Sequence, residues 1–260
     1  MTQTRPASFA PPFDRADAEA WRALAESALK GSDFDRALVR RTLDGLARGP
    51  LFTAADAPDP ARRGAPGASP FGRGLSAARD PFLPWGVRQA FRLDEPRLNA
   101  AILEDLAGGV SEIALDCAHG DADALRRALE GVLLDLAPVH LENASPEHAE
   151  ALLALMEGAG ASRGGLGFEI ARLEDAGALT RLSAAPEGVG LICVRAERLF
   201  EAGAGEALEL AASLCEGAAA MTALIESGLT PDLAAARIEV VYGADADVHL
   251  TIAKLRAARA

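Results

Sequence analysis

The chain has 260 residues, half of them apolar and a quarter charged, a balance that fits a folded globular protein rather than a fibrous or disordered one. Lys and Arg number 26 against 38 Asp and Glu, and a net charge of −12 speaks against a surface built to neutralise a polyphosphate backbone, so no nucleic-acid partner is expected. Three cysteines (Cys117, Cys193, Cys215) cannot close a disulfide framework, and residues 1–12 lack the basic-then-apolar layout of a secretory signal. A cytoplasmic protein with reduced thiols is the expectation. No apolar run reads as approaching the roughly 20 residues of a bilayer span, so no membrane association is expected either.

Residues 1–16, rich in Pro, Ala and Phe, read as an extended arm. From Asp17 onward, Trp21, Leu24, Ala25, Ala28 and Leu29 share one helical stripe while Glu19, Arg22 and Glu26 fall off it; Gly31 ends the helix. Residues 49–84 carry a dense scatter of Pro and Gly, from Pro50 through Pro84, too many for regular structure. Such a stretch suggests a long covering loop. Residues 1–84 are thus an arm, a helix and a loop, and residues 85–260 the body.

Within the body, short apolar runs alternate with helical patterns. Strands are predicted over 86–91, 110–116, 138–142, 165–170, 190–196 and 238–243, each followed by a helix. Asp121, Ser145 before Pro146, and Thr230 before Pro231 are the helix-start signals. A final helix is predicted within 245–260. Repeated strand–helix units imply a parallel sheet, either open or closed into a barrel.

Motifs for chemistry are sparse. Gly203-Ala-Gly205 then Leu208 resembles a dinucleotide fingerprint but lacks its third glycine, although its place before a helix could turn backbone N–H groups toward an anion. His119, His140, His148 and His249 show no paired ligand spacing, and no C-x-x-C occurs, so no metal site is expected. His140, inside a strand run, reads as a packed or hydrogen-bonded residue, and His148, in a helical first turn, as solvent-facing. Cys193 and Cys215 read as small buried apolar residues. Glu104, Asp105, Glu112 and Asp116 form an acidic group of the kind that an acidic chain generates on solvated faces.

Four segments together resemble methylmalonyl-CoA mutase, in particular its smaller, β-type subunit. They are Trp21-Arg-Ala-Leu-Ala-Glu-Ser-Ala-Leu-Lys30-Gly31 with Thr42-Leu-Asp44-Gly45 and Pro50-Leu-Phe52-Thr53; Ser69-Pro-Phe-Gly-Arg73-Gly74 with Pro84-Trp85-Gly-Val-Arg88-Gln89; Glu201-Ala-Gly-Ala-Gly-Glu-Ala-Leu-Glu209-Leu-Ala; and Ile252-Ala-Lys254-Leu-Arg256-Ala-Ala-Arg259. The second is similar to the family's P-Y-T-R-G and R-P-W-T-x-R-Q signatures, the third to E-A-G-A-x-x-x-Q-E-L-A, and the fourth to I-A-K-L-R-A-x-R. The resemblance implies an α/β fold with a TIM-type β/α barrel, here incomplete at about six of eight βα units, and an N-terminal helical arm. In active members an acyl-CoA threads the barrel, and a separate domain presents adenosylcobalamin for radical interconversion of methylmalonyl-CoA and succinyl-CoA.

Departures from that pattern bear on function. Where active subunits carry Tyr three residues before the Arg of R-P-W, this chain has Asp80, and that Arg is Leu83; where they carry Tyr-His, it has Glu197 and Arg198. A guanidinium cannot replace an imidazole donor without moving charge into the pocket. No catalytic residue is therefore assigned. The family's cobalt-binding D-x-H-x-x-G is absent: Asp247-Val-His249 is followed by Leu-Thr-Ile, so no cofactor is expected on this chain and adenosylcobalamin is placed in a partner. The expectation is a non-catalytic subunit, or fragment of one, in a heterodimer with a catalytic mutase subunit, the Trp21 helix being the candidate docking element. The alternative is a stand-alone acyl-CoA-binding or mutase-like barrel, for which Arg73, Arg88 and Gln89 are the candidate substrate-binding residues.

Overall fold

A computed structural model describes residues 17–57, 59, 64–79, 81–82, 85–172 and 182–259. Backbone contacts divide the chain into two units, Met1–Arg63 and Gly64–Ala260.

In the first unit, helix α1 (Ala18–Ala28) starts where Asp17 accepts a bond from the Glu19 N–H at 3.0 Å. The short α2 (Phe34–Leu38) meets it through an edge-to-face pair, Trp21 and Phe34, with centroids 6.2 Å apart, and the Arg22 guanidinium lies 4.3 Å from the same Phe34 ring. The predicted stripe is real as a pattern, yet no residue of α1 is buried, and Leu24 is 72% exposed. A two-residue hairpin, β1 (Arg40–Arg41) against β2 (Ala47–Arg48), follows; it has no periodicity long enough to be read from sequence.

The second unit is built on six parallel strands: β3 (Arg88–Arg92), β4 (Glu112–Asp116), β5 (Val139–Glu142), β6 (Arg163–Phe168), β7 (Gly188–Arg195) and β8 (Ile238–Val241). Each overlaps a strand predicted above. Between them run α3 (Leu98–Ala107), α4 (Ala122–Ala128), α5 (Pro146–Ala159), α6 (Glu197–Glu201), α7 (Glu206–Glu226) and α8 (Pro231–Ala236), and α9 (Val248–Ala257) follows β8. The predicted starts hold: Asp121 accepts from the Ala124 N–H at 2.7 Å, Ser145 caps α5 ahead of Pro146, and Thr230 caps α8.

Strand order equals chain order, with no reversal anywhere in the sheet. Doubly wound sheets reverse direction at a switch point; a sheet that always adds the next strand on the same side is singly wound, and its crossovers all lie on one face. That face carries the core. Ile113, Leu115, Val139, Leu141, Leu166, Val189 and Leu191 meet Ile102 of α3, Leu125 of α4, Leu152 and Met156 of α5, and Ala220 and Leu224 of α7, all buried.

Three sequence readings need correction. Helix α7, at 21 residues, is long and apolar enough to cross a membrane, contrary to the reading of the apolar runs. It packs on β7, β8, α8 and α9 through an inner face that includes the buried Glu209 and Ser213. His148 is buried rather than solvent-facing, because its Nδ1 accepts from the Ser145 N–H at 3.2 Å and closes the first turn of α5. Cys215 lies on the outer side of α7 and is exposed, whereas Cys193 is buried in β7 as expected.

Candidate functional site

Parallel strands put all their C-terminal ends on one side, where loop residues converge and where ligands of such sheets are bound. Charged side chains gather there. Asp116, ending β4, accepts from the Ala118 N–H at 2.9 Å and from the Asn143 amide at 2.8 Å. Burial raises its carboxyl pKa, but those bonds and the nearby Arg92 outweigh it and hold the group below the ordinary carboxylate value. Glu142, ending β5, pairs at 2.7 Å with Arg195, which ends β7 and also pairs with Glu197 of α6. Arg198, one residue on, is held by both oxygens of Glu169, at 2.7 and 3.0 Å.

Behind these pairs a cavity of about 390 Å³ is lined by Glu169, Ile170, Ile192, Val194, Arg195 and Arg198, among others. Its two guanidiniums are already engaged by carboxylates. The site therefore offers charge-compensated pairs rather than a neutral donor for a thioester carbonyl. Glu197 is buried, and its Oε2 has no hydrogen-bond partner among the described residues. Asp80 and Leu83, the other positions at which the chain departs from the active pattern, lie outside the described residues.

The residues singled out for substrate separate into two places. Arg73 lines a second cavity of about 390 Å³, in company with Arg79, Arg256 and Arg259; among the described residues, no carboxylate lines it. Arg256 stands in the last turn of α9 and Arg259 just past its end, so the two resemblance segments around Arg73 and Arg256 are brought together here. Sequence reasoning had no signal for Arg79 and no way to join residues about 180 positions apart. Arg88 lies instead on the open face of the sheet, paired with Glu112 at 2.9 Å, and the Gln89 amide donates to the Ala90 carbonyl at 3.3 Å.

The third resemblance segment, around Glu209, also meets the fourth, around Lys254 and Arg256. Glu209 of α7 and Lys254 of α9, both completely buried, form an ion pair at 2.5 Å. The second Glu209 oxygen accepts from the Gly243 N–H at 2.7 Å, and the Lys254 ammonium lies 4.2 Å from the centre of the Phe200 ring. This pair joins α7, α9 and the end of β8, so the two segments fix architecture. Glu206 and Glu209 are the acidic residues in the first turn of α7 after Gly205, so the helix N-terminus that could face an anion already carries negative side chains.

No group of three or more His, Cys, Asp or Glu among the described residues could hold a metal ion. Asp247 is used as the cap of α9, accepting from the Leu250 N–H at 3.1 Å, and His249 sits in that helix's exposed first turn. These residues do not fit a cobalt-ligating loop.

Comparison with known proteins agrees with this geometry. The sequence profile of the methylmalonyl-CoA mutase family matches residues 183–260. A methylmalonyl-CoA mutase small subunit of Streptomyces virginiae is 38% identical over 97% of this chain and 45% of its own length. A probable small subunit of Mycobacterium bovis is 32% identical over 90% of this chain and 41% of its length, and that of Propionibacterium freudenreichii 30% identical over 97% and 44%. The chain thus spans less than half the length of these relatives. A solved probable mandelate racemase of Alicyclobacillus acidocaldarius, 16% identical, aligns over 66% of this chain and 46% of its own at a TM-score of 0.36, too low to bear on the fold. Similar to small subunits along nearly all of its length, the chain belongs to the methylmalonyl-CoA mutase family, in its small-subunit type.

Proposed function

We propose that the chain is a non-catalytic subunit, or part of one, that pairs with a catalytic mutase subunit and supports adenosylcobalamin-dependent interconversion of methylmalonyl-CoA and succinyl-CoA there. The observation that carries this reading is Arg198. At the position of the active family's histidine it is a guanidinium clamped by Glu169, and Glu197 beside it brings a buried carboxylate where a substrate carboxylate would have to approach. The partner supplies the cobalamin, whose radical chemistry needs a cobalt-holding loop that these residues do not form. This chain's contribution is a scaffold. Six singly wound strands form part of a TIM-type barrel, in the cytoplasm, and the exposed Trp21 and Leu24 on α1 serve as the docking face.

The test is co-expression with a large mutase chain carrying D-x-H-x-x-G. The two should co-purify, turnover with adenosylcobalamin should require the large chain, and this chain alone should be inactive. Turnover by the isolated chain, or failure of the two to associate, overturns the reading.

One observation favours a second reading, a barrel that binds acyl-CoA by itself: the cavity ringed by Arg73, Arg79, Arg256 and Arg259 in an otherwise acidic protein. Guanidiniums bind phosphate oxygens bidentately. Calorimetry with CoA decides it; heat that disappears in both Arg73→Ala and Arg256→Ala supports this reading, and no heat from the intact chain removes it.

A further inference from the structure

The open face of the sheet, away from the helices, carries a polar cluster drawn from four strands. Arg88 of β3 donates through Nε to Glu112 of β4 at 2.9 Å, and its Nη2 lies 2.8 Å from Nε2 of His140 on β5. On the other side of the imidazole, Nδ1 lies 2.9 and 3.1 Å from the two oxygens of Glu239 on β8. Glu239 reaches His140 by lying across β7 and β6, and the sequence makes room for it. A Cβ at Gly190 would stand 2.9 Å from Glu239 Cγ, and one at Gly165 would stand 2.7 Å from His140 Nδ1 and 2.9 Å from Glu239 Oε2. The cluster thus spans the whole sheet, and Arg88 Nη1 on one edge strand comes within 3.8 Å of Glu239 on the other.

This geometry dictates the proton positions. Arginine can only donate, so Nε2 must accept and carry no proton; Nδ1 then carries the hydrogen and donates to Glu239. Glu112 Oε2 waits 3.6 Å from the same Nε2. Once Nε2 takes up a proton it can no longer accept from Arg88, and it becomes a donor with Glu112 as the acceptor at hand. Among the described residues, the charged groups within 4 Å of the ring are Arg88, Glu112 and Glu239; Gly165, beside Nδ1 on β6, adds none, and Gly190 on β7 lies against Glu239. With a neutral ring the cluster sums to −1, and with a protonated one to zero.

We propose that Arg88, Glu112, His140 and Glu239 form a proton-operated switch, in which Arg88 holds Nε2 of the neutral imidazole and Glu112 takes it when the ring is charged. Proton uptake frees Arg88 from Glu112 and turns it toward Glu239, exchanging partners across the sheet instead of breaking the cluster. The device does not depend on the functional reading above.

The test uses the full chain labelled with ¹⁵N, titrated through the histidine range, with the His140 ring signals identified by their loss in His140→Gln. The neutral ring should be the Nδ1–H tautomer. On acidification the Arg88 Nε–H should exchange roughly tenfold faster after correction for intrinsic rate, the effect of losing one charge-assisted hydrogen bond. His140→Gln keeps an acceptor for Arg88 and a donor for Glu239 but cannot titrate, so its Arg88 exchange should show no such step. A neutral ring bearing its proton on Nε2, a ring charged across the whole range, an Arg88 exchange rate without a step, or the same step in His140→Gln each overturns the proposal.

Discussion

Removing one member of the Glu209–Lys254 pair should be among the most damaging single changes in the second unit. At 2.5 Å the attraction is about 7 kcal/mol for an effective dielectric of about 20. That gain is offset by the desolvation of two ions, several kcal/mol each, so the pair as a whole contributes little net stability. Deleting one partner is different, because the other charge stays buried without compensation. Lys254→Met leaves Glu209 with the Gly243 N–H alone, and Glu209→Gln leaves the ammonium against the Phe200 ring. Each should cost about 3–5 kcal/mol, and at roughly 2–4 °C per kcal/mol a Tm loss of about 6–20 °C. The double variant removes both charges yet keeps a Gly243 acceptor, and should recover to within about 2 kcal/mol of the parent. Urea denaturation of the four proteins gives the coupling energy directly. Single variants that lose less than about 1 kcal/mol, or a double variant whose loss equals the two single losses added, would refute the argument.

Further outcomes follow from the same structure. Burial, helped by the neighbouring charges of Asp116 and Glu239 respectively, pushes the Cys117 and Cys193 thiols up to about 12, so a thiol reagent should modify Cys215 alone in the folded chain and all three after denaturation. Because these two thiols keep protons that the unfolded chain releases above its ordinary thiol pKa, stability should fall as pH rises from about 9 toward 12. Each thiol contributes a slope of about 1.4 kcal/mol per pH unit, and Cys193→Ala should flatten the urea-midpoint profile by its share. Arg198→Ala should cost no more than about 1 kcal/mol, and less in high salt, since that side chain is 40% exposed despite its two-pronged bond. Asn143→Ala should destabilise at neutral pH and have a smaller effect near pH 2. The Asn143 amide helps hold the Asp116 carboxyl low, a contribution present above the unfolded carboxylate pKa and lost as pH falls through the folded one.

Local order was legible from residue types. The six strands of the second unit are short runs such as Leu191-Ile192-Cys193-Val194, and the helix starts at Asp121, Ser145 and Thr230 carry the side-chain oxygens that free N–H groups require. Errors arose where the surroundings decide. His148 sits in a first turn, normally a wet position, but its ring turns back onto Ser145 and is covered. Cys215 has the hydrophobicity of a core residue, yet its phase on α7 points it outward. The helix α7 itself alternates small and large apolar residues with enough acid interspersed to hide its apolar length, and only its packing on β7 and β8 shows which face is covered.

What the sequence determined by itself was the alternation of strand and helix, the acidic surface, and the replacement of an expected histidine by Arg198, because each is a property of residue identity or of spacing within one element. Tertiary structure alone decided that Glu209 meets Lys254, that Arg73 shares a cavity with Arg256, and that Glu239 crosses two glycine-bearing strands to reach His140. Those contacts join residues 45, about 180 and 99 positions apart. Periodicity reports only which side of an element faces inward; which elements then lie opposite one another is set by how the crossovers wind the sheet.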